Sequence, residues 1–225
     1  MENIAENVQR VLERVDLAAS KAGHAVTLVA ASKTQTADAV REALAAGITV
    51  FGENHAQELR DKFESYGSAP VHMIGHMQTN KCNMVVGRAS LIQTVDSIHL
   101  ATAIDTAAQR KGIVQDVLAE INIGREPGKS GMMPELLDEF LEGFAALPHL
   151  RLRGLMTIGP KPESATSNVQ YFEECYRLFI DKARKTCNNI MMDTLSMGMS
   201  TDFEAAIFSG ANMVRVGTAI FGRRS

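Results

Sequence analysis

The first residue in this chain whose placement could do chemistry is Lys33, which directly follows the mostly apolar run 26–32, VTLVAAS. Two readings are open. It is a surface lysine capping a strand, or an amine held at a pocket mouth. Partial desolvation there leaves the amine's lone pair available to a carbonyl, giving a Schiff base. A second set lies near the C-terminus. Leu195–Ile207 ends a short apolar run, turns through Gly198 and Ser200, and enters a helix; Thr201 and Glu204 have the spacing of a capping box. Met213–Gly222 is an apolar strand carrying one arginine, Arg215, followed by Gly217-Thr218. Backbone N–H groups and hydroxyls at Ser200, Gly217 and Thr218 can hold a phosphate. Gly217 lets the backbone approach a ligand closely.

An amine for an aldehyde and N–H donors for a phosphate are the two anchors that pyridoxal 5′-phosphate (PLP) needs. Arg215 lies between Val214 and Val216, so on a strand it points opposite to both, toward a barrel interior or toward the helices. A buried arginine requires a partner. That partner is either a structural carboxylate or the pyridine nitrogen of the cofactor. Arginine only donates, so a pyridine nitrogen facing it stays unprotonated, and the ring stabilises a carbanion less well.

Other constellations are poor. The six histidines show no metal spacing. His72 and His76 are four apart, but on an expected strand and its end; His55 opens a helix. No Ser-His-Asp arrangement is visible. Glu126–Gly131 lacks the leading glycine and spacing of a P-loop, which places Lys129 on a mobile loop after the fifth strand.

With 225 residues the chain can bury a sizeable core, and residues 1–225 are expected to form one domain. A net charge of −3 and no dense basic run speak against nucleic acid. No stretch approaches the roughly 18 apolar residues of a membrane span. The N-terminus is polar and helical in pattern, not a signal peptide, and the odd cysteine count (Cys82, Cys175, Cys187) suggests reduced thiols in a cytoplasm.

These residues need a scaffold. Residues 2–22 repeat apolar positions at helical spacing, from Ile4 and Val8 to Val15 and Ala18. Eight apolar runs follow, at 26–32, 48–51, 71–75, 91–95, 115–123, 152–158, 193–196 and 213–216. Between them lie helical patterns at 36–46, 55–65, 97–111, 134–146, 166–186 and 202–209, with 79–87 the least patterned. Alternation of this kind means βαβ units and a parallel sheet. Eight repeats favour a closed (β/α)8 TIM-type barrel, with an extra N-terminal helix, over an open doubly wound sheet. The active site of such a barrel lies at the C-terminal strand ends. Those ends carry Lys33, Asn54 and Arg215, among mostly small or polar residues.

The chain resembles the pyridoxal phosphate homeostasis proteins, a group related to the N-terminal barrel of alanine racemase. The resemblance runs from about Val26 to Gly222. It is carried by Ala31-Ser32-Lys33-Thr34, Phe51-Gly52-Glu53-Asn54-His55-Ala56-Gln57-Glu58, His72-Met73-Ile74-Gly75 and Thr94-Val95-Asp96-Ser97. Lys129-Ser130-Gly131, Arg153-Gly154-Leu155-Met156-Thr157-Ile158 and both closing segments extend it. It implies a PLP-binding barrel with Lys33 as the Schiff-base lysine and Arg215 facing the pyridine nitrogen. Ser200, Gly217 and Thr218 hold the phosphate with help from Ser196, and Asn54 lies near the ring. It also implies a non-catalytic carrier or regulator of intracellular vitamin B6, with apo PLP-dependent enzymes as partners and a monomer or weak homodimer as its state. Departures exist. Gln35 stands where a second lysine is common, Thr36 where proline is usual, His55 for tyrosine and Val71 for tryptophan. The tail Arg223-Arg224-Ser225 has no lysine for a secondary PLP site, and arginine cannot form the Schiff base.

Three functions compete: a PLP carrier, a small PLP enzyme such as an amino-acid racemase, and a barrel for another phosphate compound with Lys33 structural. Racemisation needs a second acid/base on the opposite face of the substrate. In the racemase relatives an additional C-terminal domain supplies it, whereas this chain ends at Ser225, and Tyr66, Tyr171 and Tyr176 are expected away from strand ends. The carrier reading is favoured.

Overall fold

The eight apolar runs close on themselves. A computed structural model, describing residues 3–162, 164–184 and 189–222, shows a closed barrel of parallel strands in sequence order. The strands are β1 (Thr27–Ala31), β2 (Phe51–Glu53), β3 (Val71–Met73), β4 (Leu91–Val95), β5 (Gln115–Ile121), β6 (Leu150–Thr157), β7 (Ile190–Ser196) and β8 (Met213–Val216). The helices are α1 (Ile4–Ala22), α2 (Ala37–Ala45), α3 (Ala56–Asp61), α4 (Cys82–Val85), α5 (Ile98–Lys111), α6 (Leu137–Phe144), α7 (Val169–Ala183), α8 (Phe203–Phe208) and α9 (Thr218–Phe221). Closure is made by β1 against β8, with Val29 beside Arg215. This is the (β/α)8 arrangement expected. Cys187 and the Arg223-Arg224-Ser225 tail lie outside the described residues, as does the end of the helical pattern 166–186.

Most apolar side chains pack between the strands and the helix ring. A smaller cluster of Val29, Leu91, Leu118, Met156 and Met213 forms a separate buried core. The extra helix α1 covers the seam where the chain closes. Its stripe of Val8, Val11, Val15 and Ala18 is at most 3% exposed, and burying each valine contributes about 1.5–3 kcal/mol. Asn3 caps its start and Gly23, at φ 77°, its end. Asn7 Nδ2 donates to Ile220 O (3.1 Å), and Arg14 meets Glu204 at 2.8 Å.

The boundaries shifted where polar residues sit inside strands. β2 runs through Gly52 and Glu53 rather than Ile48–Phe51, because the Phe51 and Gly52 backbones pair with Ala30 and Ala31 and one oxygen of the Glu53 carboxylate, Oε1, finds donors inside. The segment 79–87 is a short 3-10 turn followed by the single turn α4. The capping box at Thr201 is not formed. α8 starts after Asp202, whose carboxylate turns back to accept the Met199 N–H (2.8 Å) and the Asn168 amide (2.8 Å). Glu204 is taken by Arg14.

The register shifts in β6 at Gly154, whose φ is 151°. A Cβ there would lie 1.9 Å from the Thr194 carbonyl oxygen, so only glycine fits. Gly154→Ala is expected to destabilise the protein by about 3 kcal/mol, from overpacking plus backbone strain. Urea denaturation checks this; an unshifted midpoint contradicts it.

Candidate functional site

Polar residues collect at the C-terminal strand ends because the ladders stop there and the loops begin. One cavity of about 270 Å³ opens at this end. Ala31 and Lys33 line it from β1, Asn54 from β2 and Ile74 from β3. Ile158 follows β6, Met199 to Thr201 follow β7, and Gly217 and Thr218 follow β8, with Arg215 beneath them. Thus Lys33, Asn54, Ser200, Arg215, Gly217 and Thr218 meet around one space. Ser196 does not line it.

Lys33 is half-buried, on a turn directly after β1. The turn is built on residues that sequence reading overlooked. Glu53 is fully buried; its Oε1 accepts from Ser32 Oγ (2.7 Å) and from the Tyr66 hydroxyl, and forms an ion pair with Lys62 Nζ (2.6 Å). Tyr66 is a correction. Its backbone lies on a 3-10 turn, but its hydroxyl reaches the end of β2, and burial pushes that phenol far above its ordinary range. Thr34 sits at φ 63°, a left-handed conformation that costs about 1–3 kcal/mol for a non-glycine residue. Its N–H donates to Glu58 Oε2 at 2.7 Å. Burial raises the Glu58 carboxyl's pKa, but the Thr34 amide and the Lys62 ammonium outweigh that and hold it below its usual value. The spacing of Glu58 and Lys62 (i, i+4) was the available signal.

The loops after β7 and β8, next to β1 around the barrel, form the anion cradle. Ser200 Oγ accepts the Gly217 N–H (3.2 Å) and the Ala219 N–H (3.3 Å). The Gly217 amide is therefore engaged, and its close approach is to Ala31, whose carbonyl oxygen would lie 3.2 Å from a Cβ, a tight contact. Two accepted hydrogen bonds leave the Ser200 hydroxyl proton to donate outward. The amides of Ser200, Thr201 and Thr218 meet no acceptor among the described residues. Three amides and a hydroxyl around one small space suit a phosphate. On the same cavity, Asn54 Oδ1 is buried without a hydrogen-bond partner among the described residues. A buried acceptor in that state costs about 1–3 kcal/mol until a ligand donates to it.

Arg215 is 4% exposed. It donates to Thr157 O (2.8 Å) and to Ser196 Oγ (2.6 Å). Ser196 donates on to Gln93 Oε1 (2.7 Å), and Gln93 Nε2 meets His72 Nδ1 at 2.8 Å. Ser196 thus stands behind Arg215, with its hydroxyl committed to that chain rather than to a phosphate. Burial lowers the guanidinium's pKa to about 10, against the nearby Glu120 and Asp202 carboxylates, so it stays charged at neutral pH. Glu120 is a further missed residue. It is 3% exposed in β5, with Oε2 meeting no hydrogen-bond partner among the described residues. The signal resembled that of Arg215: an isolated charge in an apolar run.

Burial, with the Asp96 charge adding to it and Arg215 opposing, raises the Glu120 pKa to about 7 from 4.5. Its stabilisation is fully present below pH 4.5 and lost as pH rises through about 7. Burial lowers His72 to about 4 from 6.5, so its contribution is present above pH 6.5 and lost as pH falls through about 4. The two slopes, each about 1.4 kcal/mol per pH unit at most, cancel where they overlap. Glu120→Gln removes one of them. Relative to wild type, the variant's unfolding free energy is expected to gain about 2 kcal/mol between pH 4.5 and pH 6.5 in urea titrations. Parallel pH profiles contradict this.

No group of residues suited to a metal ion is found among the described residues. No helix among them is long and apolar enough to cross a membrane.

Known proteins resemble the chain along its whole length. Residues 1–225 match the family model of the alanine racemase N-terminal domain. The chain is 40% identical to the pyridoxal phosphate homeostasis protein of Aquifex aeolicus, covering 99% of both chains. It is likewise 40% identical to the protein of that name from Escherichia coli (strain K12), over 100% of this chain and 98% of that one. Among solved structures, PipY of Synechococcus elongatus with PLP bound superimposes with a TM-score of 0.85 at 31% identity, covering 97% of this chain and 100% of that one. Alanine racemase of Clostridium difficile shares the fold, with a TM-score of 0.73 at 18% identity over 97% of this chain and 57% of that one.

Proposed function

This chain belongs to the pyridoxal phosphate homeostasis protein family, and from that premise we propose how its residues hold PLP and what they do with it. It binds PLP and acts in PLP homeostasis. When bound, PLP supplies an aldehyde that condenses with an amine and a ring that draws electrons from the attached carbon. Lys33 is the amine. The Ser200 hydroxyl and the amides of Ser200, Thr201 and Thr218 take the phosphate, Asn54 Oδ1 accepts from the ring substituents, and Arg215 faces the pyridine nitrogen. The observation that carries this reading is one cavity lined by Lys33 after β1, by the unengaged amides after β7 and β8, and by Arg215 beneath them.

The protein is a carrier rather than an enzyme. Arg215 remains protonated, so it donates to the pyridine nitrogen and cannot protonate it, which restrains carbanion chemistry. Among the described residues, the cavity wall offers no carboxyl, imidazole, thiol or phenol to act as a second acid/base opposite Lys33. Its place is a reducing cytoplasm, in keeping with the free, buried Cys82 and Cys175. Its partners are apo PLP-dependent enzymes.

The test is to incubate the loaded protein with an apo PLP enzyme and follow recovery of that enzyme's activity. Recovery is expected, with no racemisation of alanine or serine by the carrier alone. Racemisation at ordinary enzyme rates, about 1 s⁻¹ or more, would overturn the carrier reading.

A further inference from the structure

Lys62 lies outside the cavity, 11% exposed, beneath the turn that carries Lys33. Its Nζ donates to the carbonyls of Ser32 (2.8 Å) and Gln35 (3.3 Å), the residues on either side of Lys33-Thr34. The same nitrogen meets Glu53 at 2.6 Å and Glu58 at 3.1 Å. Glu58 in turn accepts the N–H of Thr34, the residue held at φ 63°. One ammonium thus grips both ends of the turn, and its carboxylate partner pins the strained residue in the middle. Arginine does not substitute well here, because acceptors surround a single nitrogen rather than a planar fork.

Resting on the reading that Lys33 holds the cofactor, we propose that Lys62 is a positioning residue for Lys33, fixing the 32–35 turn so that the amine meets the incoming aldehyde already oriented. The benefit is pre-organisation: ordering done on folding is not repeated on binding. The strained Thr34 makes this separable from a merely structural role. Glycine adopts φ 63° without strain, so a turn with glycine at position 34 needs the strap less.

The experiment adds PLP to cofactor-free protein, quenches with borohydride at intervals and follows labelling of the Lys33 peptide. Lys62→Met is expected to slow labelling about tenfold in the wild-type background and less than about threefold in a Thr34→Gly background. In cofactor-free protein, hydrogen exchange at the Thr34 amide should quicken about tenfold in Lys62→Met, while β5 and β6 exchange as before. Equal slowing in both backgrounds, or unchanged Thr34 exchange, overturns the proposal. If Lys62→Met does not fold, Glu58→Ala is judged by the same two criteria. Wild-type protein that traps PLP elsewhere than Lys33 refutes the reading of the site, and the Thr34 exchange result then decides on the strap alone.

Discussion

Lys33→Ala protein is expected to be colourless after purification and to bind PLP about 100-fold more weakly than wild type, a loss of ~2.7 kcal/mol. The donors of the phosphate cradle are present in this variant, since they are the Ser200 hydroxyl and the backbone amides of Ser200, Thr201 and Thr218. What disappears is the covalent link and its absorption. The substitution is safe for the fold because Lys33 is only half-buried and the turn is held by Lys62 and Glu58 through backbone atoms. Equilibrium dialysis and the visible spectrum measure both effects. Wild-type affinity in the variant would remove the Schiff base from the account.

Arg215→Met should cost about 3–5 kcal/mol of stability. The side chain is almost wholly buried, and its loss strips donors from Thr157 O and Ser196 Oγ and leaves Glu120 without its counter-charge. Adding Glu120→Gln is expected to recover part of that loss; no recovery in urea denaturation would mean that Glu120 and Arg215 are not coupled. The same pair decides the ring contact. Arg215→Glu alone places two carboxyls in one buried site and should fold poorly. Arg215→Glu with Glu120→Gln avoids the repulsion and offers the pyridine nitrogen a partner that keeps it protonated. The bound cofactor's absorption should then shift and its slow side reactions quicken. Unchanged values in the folded double variant contradict the Arg215 contact.

Much of this was legible because period and composition report burial. The alternation of apolar runs with 3.6-period segments specified the barrel, and the residues just past each run marked the cavity's rim. Lys33, Ser200 and Thr218 were visible as chemistry at strand ends. What stayed hidden depended on side-chain geometry. Ser196 read as a phosphate donor because a serine at a strand end looks exposed, yet it is fully buried against Arg215 and Gln93. Thr201 read as a cap because Asp202's turn back to Met199 is a tertiary choice. Lys62 resembled any lysine on a helical pattern, and only the folded turn reveals that its nitrogen lies under Lys33. Gly217 was read as allowing close approach to a ligand, whereas the neighbour that its backbone approaches closely is Ala31.

The most direct measurement is borohydride reduction of the PLP-loaded wild-type protein followed by peptide mapping. One cofactor mass per chain is expected, on the peptide containing Lys33. Cofactor mass on another lysine, such as Lys62, Lys81 or Lys129, with Lys33 unmodified, would contradict it.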